Sequence, residues 1–280
     1  MKLSVIVVNY NACVLLKQAL NSVMRSCEGI NHEIFVVDNA STDGSVAMLH
    51  QDYPQTNLVL NDKNIGFSRA ANQALELTRG EYVLLINPDI ITKKHTLYKT
   101  LDFMDSHPDA GGVSVRMIDQ MGNFIKESKR GLTPHWVTFF KLTGLSKMLS
   151  KSRLYDRQHE FWIDEFETAE VDILNPAFML IRQSVLQRTG LLDERFFMYG
   201  QNIDLSYRIR LEGFKNYYFP KIYIIHFKQQ LKDKFSWAYF KYFYGAMLIF
   251  AAKYMFKLPR LQLKLKGMGP IFPPLYEVER

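Results

Sequence analysis

The stretch "EIFVVDNASTDGS", residues 33–45, decides the fold. Four apolar residues in a row stop at Asp38 and Asn39, and a Ser/Thr/Asp/Gly run follows before helical spacing resumes. A short continuous apolar run reads as a strand buried on both faces, and the polar run after it as the loop at that strand's end. The same grammar repeats on either side. "LSVIVVN" (3–9), "NLVLN" (57–61) and "EYVLLIN" (81–87) read as strands, with helical spacing in "CVLLKQALNSVMRS" (13–26), "DGSVAMLHQDY" (43–53) and "FSRAANQALELTRG" (67–80), the last ended by Gly80. Buried strands separated by helices predict a largely parallel sheet covered on both faces. Right-handed crossovers then bring the strand ends to one rim, the usual ligand crevice of such folds. That rim is polar throughout: "NYN", "DNASTDGS", "NDKNIGFS" and "NPD" follow the four strands.

Beyond residue 110 the order loosens. "SVRMIDQMGNFIKES" (114–128) reads as a hairpin around Gly122, followed by a Trp- and Phe-containing segment (134–150) and an irregular stretch to Glu170. "VDILNPAFMLIRQSVLQRTG" (171–190) supplies two strands and a helix capped by Gly190. "FFMYGQNIDLSYRIRLEGF" (196–214) is an aromatic loop running into a helix that ends at Gly213, with two neutral amides, Gln201 and Asn202, at its mouth. Strands "NYYFP" and "IYIIHF" come next, and "PLYEVER" closes as a loose tail. The expected organisation is an α/β domain over 1–230, an aromatic and basic helical segment over 231–266, and a tail over 267–280.

With 280 residues, 48% apolar and 22% charged, the chain has the composition of a packed globular protein rather than a disordered one. Cys13 and Cys27 fall in one helical region, where a continuous helix offers no disulfide geometry, so a reducing, cytoplasmic setting is expected. The apolar opening is too short for a secretory leader, and no apolar stretch has the length of a membrane span. The net charge of +7 is regional: Lys221 to Lys266 holds ten Lys or Arg against the single acid Asp233, which leaves the rest slightly acidic. Inside that region "FSWAYFKYFYGAMLIFAAKYMF" (235–256) carries ten aromatics. It reads either as an interfacial amphipathic helix beside an anionic membrane or as a helix packed on the domain with solvated lysines. Nucleic acid is disfavoured because the polar rim lies outside the basic region.

At the rim, Asp38 is either a turn residue or a group that binds a polar ring, and the "STDGS" after it can cap a helix. Pro88 stops the fourth strand abruptly, leaving Asp89 either as the N-cap of a following helix or as a carboxylate for a divalent cation whose other oxygens come from a diphosphate. His226 is either a strand-edge residue or a contact to that metal or diphosphate.

Taken in order, "SVIVVNYN", "EIFVVDNASTDGS", "NIGFSRAANQA", "GEYVLLINPD", "AFMLIRQ", "GLLDERFFMYG", "IDLSYRI" and "IIHF" resemble the family 2 glycosyltransferases over about residues 3–256. These are inverting enzymes, and the likeness is to the rhamnosyltransferase-like branch of bacterial cell-surface polysaccharide synthesis. The resemblance implies a Rossmann-like GT-A fold, a mixed central sheet with helices on both faces. It implies that the nucleotide is bound by Asn9, Tyr10, Asp38, Asn39, Asn64, Gly66 and Asn87, with Asn9 and Asp38 at the base. It makes Asp89 the end of a degenerate DXD motif holding Mg or Mn, with His226 a second candidate contact, and puts the acceptor side at about 175–205. In the family an adjacent Glu-Asp pair follows this aromatic loop, and its Asp is the general base. Here Gln201 and Asn202 stand there. An amide keeps the shape of its parent acid but takes no proton at neutral pH, and a general base is worth roughly 10²- to 10⁴-fold. Asp204 is the nearest substitute, yet residues two apart on a helix do not share a face, so it reads as structural or as a base for another substrate pose. Pro176 and the loop "HFKQQLKD" (226–233) depart from the family as well; a deliberate exchange of two acids for near-isosteric amides would account for Gln201 and Asn202 alone, so the departures together read as a divergent member rather than an inactivated variant.

The expected function is transfer of a sugar, with inversion, from a UDP- or dTDP-sugar to a glycan or lipid-linked acceptor. The protein would sit peripherally at the inner face of the membrane. The alternative is a catalytically silent relative that binds nucleotide-sugar or a partner transferase as a regulator or scaffold. A nicotinamide dinucleotide binder is disfavoured because no "GxGxxG" follows the early strands.

Overall fold

The computed structural model describes residues 1–130, 138–139, 164–227 and 237–254. The segment at 134–150 falls almost wholly outside them, and the tail entirely so. Strand β1 (Leu3–Asn9) leads through α1 (Cys13–Ser26) to β2 (His32–Asp38), then α2 (Ser45–Asp52), β3 (Asn57–Leu60), α3 (Phe67–Leu75) and β4 (Tyr82–Ile86). Each apolar run has become a strand. Helix α1 buries Leu16, Leu20 and Val23, the i, i+4, i+7 stripe of an amphipathic helix.

The second half adds β5 (Ile90–Ile91), α4 (Thr96–Ser106), β6 (Ala110–Ile118), α5 (Glu127–Arg130), β7 (Ala169–Val171), β8 (Phe178–Arg182), α6 (Gln183–Thr189), α7 (Gln201–Leu211), β9 (Lys215–His226) and α8 (Trp237–Tyr254). One nine-stranded sheet runs β3-β2-β1-β4-β8-β6-β9-β5, with β7 also paired to β9. Strands β3, β2, β1 and β4 are mutually parallel, whereas β8 is antiparallel to both β4 and β6. The sheet is therefore mixed, and its strand order reverses at β1, where a crevice opens beyond the strand ends.

Alternation sorts the core. Leu3, Val5 and Val7 face one layer with Leu20 and Met104, while Ile6 faces the other with Ala71 and Ile209. A third cluster joins α7 to α8 through Phe196, Ile203 and Tyr207 against Phe243, Met247 and Phe250.

Helix α3 ends at Leu75, short of the expected stop at Gly80, and β7 reaches only Val171, so 172–177 is not the strand expected there. Two further expectations change. The hairpin around Gly122 is a turn closed by the Asp119 amide and the Asn123 carbonyl at 2.9 Å, with one bridge, Ile118 to Phe124, before α5 begins. The strands "NYYFP" and "IYIIHF" are a single strand, β9. Its partner β6 shifts register so that Val115 faces Phe219 and Arg116 faces Tyr223. Pro220 lies in the skipped residues, where no ladder donor is required of it.

Candidate functional site

Asn9 and Asp38 end adjacent strands and are register partners, so the sheet itself sets them side by side. Asn9 is fully buried; its Nδ2 donates to Asp38 Oδ2 at 2.8 Å and to Ser41 Oγ at 3.1 Å. Its Oδ1 is buried with no partner, an acceptor aligned with a carboxylate at the rim. Asp38 Oδ1 takes the Ser41 amide at 2.8 Å, an Asx turn over Ala40, whose φ is +66°. The turn reading of Asp38 is thus realised, and each oxygen still has a lone pair. Asn39 reaches the Gly66 carbonyl with Nδ2 and takes the Asn61 amide at 3.0 Å, tying the second strand end to the third. Tyr10, 52% exposed, projects beside them. Asn61 escaped the sequence reading, and Ser41 entered it only as the first side chain of the "STDGS" run.

Asn64 takes the Gly66 amide on Oδ1 at 3.0 Å and holds Gly66 at φ +86°. A Cβ there would lie 2.6 Å from the Phe197 ring and 2.8 Å from the Phe197 carbonyl oxygen. The close approach is reinforced from α3: the Phe67 amide donates to the Phe197 carbonyl at 2.7 Å, Ser68 Oγ to that of Phe196 at 2.6 Å, and Asn72 exchanges two bonds with the Leu192 backbone. "NIGFSRAANQA" and "GLLDERFFMYG" thereby interlock. Gly66→Ala is expected to cost about 1–3 kcal/mol from backbone conformation alone, more with the clash, as a lowered midpoint in urea unfolding.

Pro88 ends β4 in a turn in which the Ile90 amide donates to the Asn87 carbonyl, and the Asn87 amide donates to the Ala177 carbonyl. Asp89 caps no helix, because α4 starts at Thr96 with His95 at its N-cap. Instead β5 pairs with the end of β9, and the Phe227 amide donates to the Asp89 carbonyl at 2.8 Å. That pairing brings His226 Nε2 to 3.2 Å from Asp89 Oδ2. Asp89 Oδ1 is buried with no partner. An orphaned carboxylate oxygen beside an imidazole fits a divalent cation that takes its remaining ligands from a diphosphate and water. The described residues contain no cluster of three or more acidic, His or Cys side chains that would hold a metal unaided.

Gln201 and Asn202 form the first turn of α7, both buried. Asn202 Nδ2 donates to the Leu174 carbonyl at 2.9 Å, and Gln201 Oε1 is buried without a partner. Asp204, fully buried, faces elsewhere: Oδ2 accepts Arg208 Nε at 2.9 Å, and Oδ1 accepts Lys253 Nζ and the Tyr254 hydroxyl, both at 2.7 Å. Lys253 also reaches Asp193 Oδ2 at 2.9 Å, which Arg195 holds as well. Burial alone would raise the Asp193 carboxyl, but the Arg195 hydrogen bond and the Lys253 charge hold it well below the usual carboxylate range. Burial and the Asp204 carboxylate push the Tyr254 phenol up, so it stays protonated and donates. This ionic cage pins α8 to α7 and was not visible in the sequence.

Helix α8 leaves Trp237, Lys241, Tyr244, Leu248 and Ala252 on its outer face, opposite Phe243, Met247 and Phe250. The helix is packed on the domain along one side and carries aromatic and apolar residues along the other. Among the described residues no helix is long and apolar enough to cross a membrane.

A mixed α/β sheet with polar groups gathered at the switch of strand order is the architecture of the nucleotide-diphospho-sugar transferases, the GT-A fold. The profile of Glycosyl transferase family 2 matches residues 4–190, and the chain belongs to that family, as a transferase. The N-acetylglucosaminyl-diphospho-decaprenol L-rhamnosyltransferase of Mycobacterium tuberculosis is 24% identical over 81% of this chain and 76% of its own length. The rhamnosyltransferase WbbL of Escherichia coli is 28% identical over 52% of each chain. Among solved structures, S. aureus TarS 1-349 in complex with UDP-GlcNAc superposes with a TM-score of 0.63 at 19% identity, over 90% of this chain and 66% of that one. The mannosyltransferase PcManGT from Pyrobaculum calidifontis, in complex with GDP-Man and Mn2+, gives 0.58 at 20% identity, over 82% and 58%. The chain spans only 37% of the longer TarS chain. The structural likenesses speak for the fold.

Proposed function

We propose that this protein moves a sugar, with inversion at the anomeric carbon, from a UDP- or dTDP-sugar to a glycan or lipid-linked acceptor in bacterial cell-surface polysaccharide synthesis. The observation that carries the reading is the shared rim. The Asn9–Asp38 pair closes one part of it, and Asp89 with its orphaned Oδ1 and His226 stands at another. In this reading Asn9 and Asp38 bind the base, Tyr10 lies against it, and Asn39, Asn64, Gly66 and Asn87 shape the path of the nucleotide. Asp89, with His226, would hold Mg or Mn, and a cation bound there would offset the charge of the leaving diphosphate. Gln201 and Asn202 face the acceptor. The names of relatives support the choice of substrates: a lipid-diphosphate sugar in the mycobacterial enzyme and UDP-GlcNAc in TarS.

A second reading, a silent relative that binds nucleotide-sugar or a partner transferase, is favoured by the two amides at the start of α7 and by an Asp204 whose oxygens are both engaged. Incubation with a panel of UDP- and dTDP-sugars, Mn and acceptors separates the two. Transfer supports the first reading, while donor binding without transfer to any acceptor supports the second.

The outer face of α8 supports a peripheral position at the inner face of the membrane. Trp237 is 79% and Leu248 67% exposed there, within the basic stretch from Lys221 to Lys266. The protein is expected to co-float with vesicles containing anionic lipid. Trp237→Ala combined with Leu248→Ala is expected to weaken that binding about tenfold or more, given roughly 1.5–3 kcal/mol for each large apolar side chain fully buried.

A further inference from the structure

Phe197 stands where the nucleotide loop, α3 and α8 meet. Its carbonyl accepts the Phe67 amide at 2.7 Å, and Ser68 Oγ donates to the neighbouring Phe196 carbonyl at 2.6 Å. Helix α3 has no side-chain cap, so a carbonyl from a distant loop takes the first of its free amides. The Phe197 ring lies against Gly66, where a Cβ would fall 2.6 Å from it. Gly66 in turn ties two of the residues assigned to the nucleotide: its amide donates to Asn64 Oδ1 at 3.0 Å, and its carbonyl accepts Asn39 Nδ2 at 3.4 Å.

Phe197 is itself backed by α8. The Tyr242 ring stacks on it, with centroids 4.4 Å apart and planes 14° from parallel. One turn further along α8, Ala246 meets Gly200, the residue before Gln201: a Cβ at Gly200 would fall 3.1 Å from that of Ala246. Residues four apart share a helix face, so one stripe of α8 braces both the Gly66 loop and the start of α7. Lys253 and Tyr254, bonded to Asp204, hold that stripe in register.

We infer that Tyr242 is a positioning residue for the donor: through Phe197 it holds Asn64, Gly66 and Asn39 in the geometry that receives the nucleotide. The inference rests on the nucleotide reading of that loop proposed above. A glycine is free to leave a φ of +86° for many other conformations, and the packed Phe197 ring is the wall that keeps it there. A loop held by packing is ordered when the protein folds, whereas an unbraced loop is ordered only when ligand binds, and affinity falls by that entropy. Loss of the stack therefore weakens donor binding, while bound nucleotide restores the loop and leaves turnover at saturating donor in place.

The test is calorimetry of UDP and dTDP with Mn on the full chain and on Tyr242→Leu, Tyr242→Phe and Met247→Ala, with hydrogen exchange over residues 64–70 in the absence of nucleotide. Tyr242 is only partly buried, so the fold tolerates its exchange. Leu keeps apolar bulk and removes the flat face, and Phe keeps the face. Met247→Ala loosens α8 in the third core cluster and reports what general destabilisation does. Tyr242→Leu is expected to bind nucleotide about 3- to 10-fold more weakly, within what one aromatic stack supplies, and to exchange the Phe67 amide faster. Tyr242→Phe should match the parent. Met247→Ala should melt earlier yet bind nucleotide within about twofold of the parent, as sites without shared partners do. In donor turnover, Tyr242→Leu should raise KM and spare kcat. Nucleotide affinity in Tyr242→Leu equal to the parent's overturns the inference. So does a loss in Met247→Ala as large as that in Tyr242→Leu, which would trace the effect to general packing. Absence of nucleotide binding by the parent removes the proposed function instead, and the inference with it.

Discussion

Replacing Asp204 by Asn is expected to destabilise the protein by about 3 kcal/mol, the lower end of the range for breaking a buried ion pair. Asp204 is fully buried and accepts from Arg208, Lys253 and Tyr254. An amide offers one acceptor where the carboxylate offered two, and it turns its own N–H toward cations. The loss stays at the lower end because Arg208 also donates to the carbonyls of Thr189, Gly190 and Leu191, and Lys253 keeps Asp193. At this chain length, thermal unfolding is expected to fall by roughly 6–12 °C. A free catalytic base would behave differently: the same change would abolish turnover and leave the melting point in place. Acid should reproduce part of the effect. The folded-state pKa of Asp193 is depressed below the ordinary 3.8, so its contribution is present above that value and is lost as pH falls below it. Acid unfolding of the Asp193→Asn variant should therefore be shallower than that of the parent.

Asp89→Asn should act on the opposite balance, removing turnover while sparing the fold. The amide oxygen still accepts from His226, so the unfolding midpoint is expected to move by less than about 0.5 kcal/mol. A neutral amide is a poor ligand for Mg or Mn, and a metal contributes several kcal/mol to stabilising a leaving phosphoryl group. At 1.36 kcal/mol per decade, donor turnover is expected to drop about 10²- to 10³-fold, and the residual rate should no longer depend on Mn. Steady-state kinetics across a Mn titration, for parent and variant, read both effects. An unchanged Mn dependence in the variant would move the metal away from Asp89.

The β1 to β4 half of the fold was legible because each strand is a continuous apolar run and each helix a spaced one. Polar residues at the strand ends then gathered Asn9, Asp38 and Asp89 at one rim. Legibility failed where one residue was taken as a boundary or where the partner lies far along the chain. Pro220 reads as a strand end, yet a register shift opposite Arg116 lets β9 pass through it. Asp89 reads equally well as an N-cap, because a strand as short as Ile90–Ile91 has no periodicity to detect. The clamp of α3 on the 192–197 loop and the Lys253–Asp204 pair join residues as far apart as Phe67 and Phe197, with complementary groups that no local pattern announces. The aromatic stretch at 235–256 carried two readings because α8 uses both of its faces, one in the third core cluster and one outward.

Central to the proposed function is a rim that takes a nucleoside diphosphate and a divalent cation together. Electron paramagnetic resonance of free Mn, titrated with the protein in the presence and absence of UDP or dTDP, tests this most directly. The predicted result is loss of the free Mn signal only when protein and nucleotide are both present, beyond what the nucleotide binds alone, and recovery of the signal with Asp89→Asn. A free Mn signal indifferent to the protein, or one lost equally with Asp89→Asn, would contradict it.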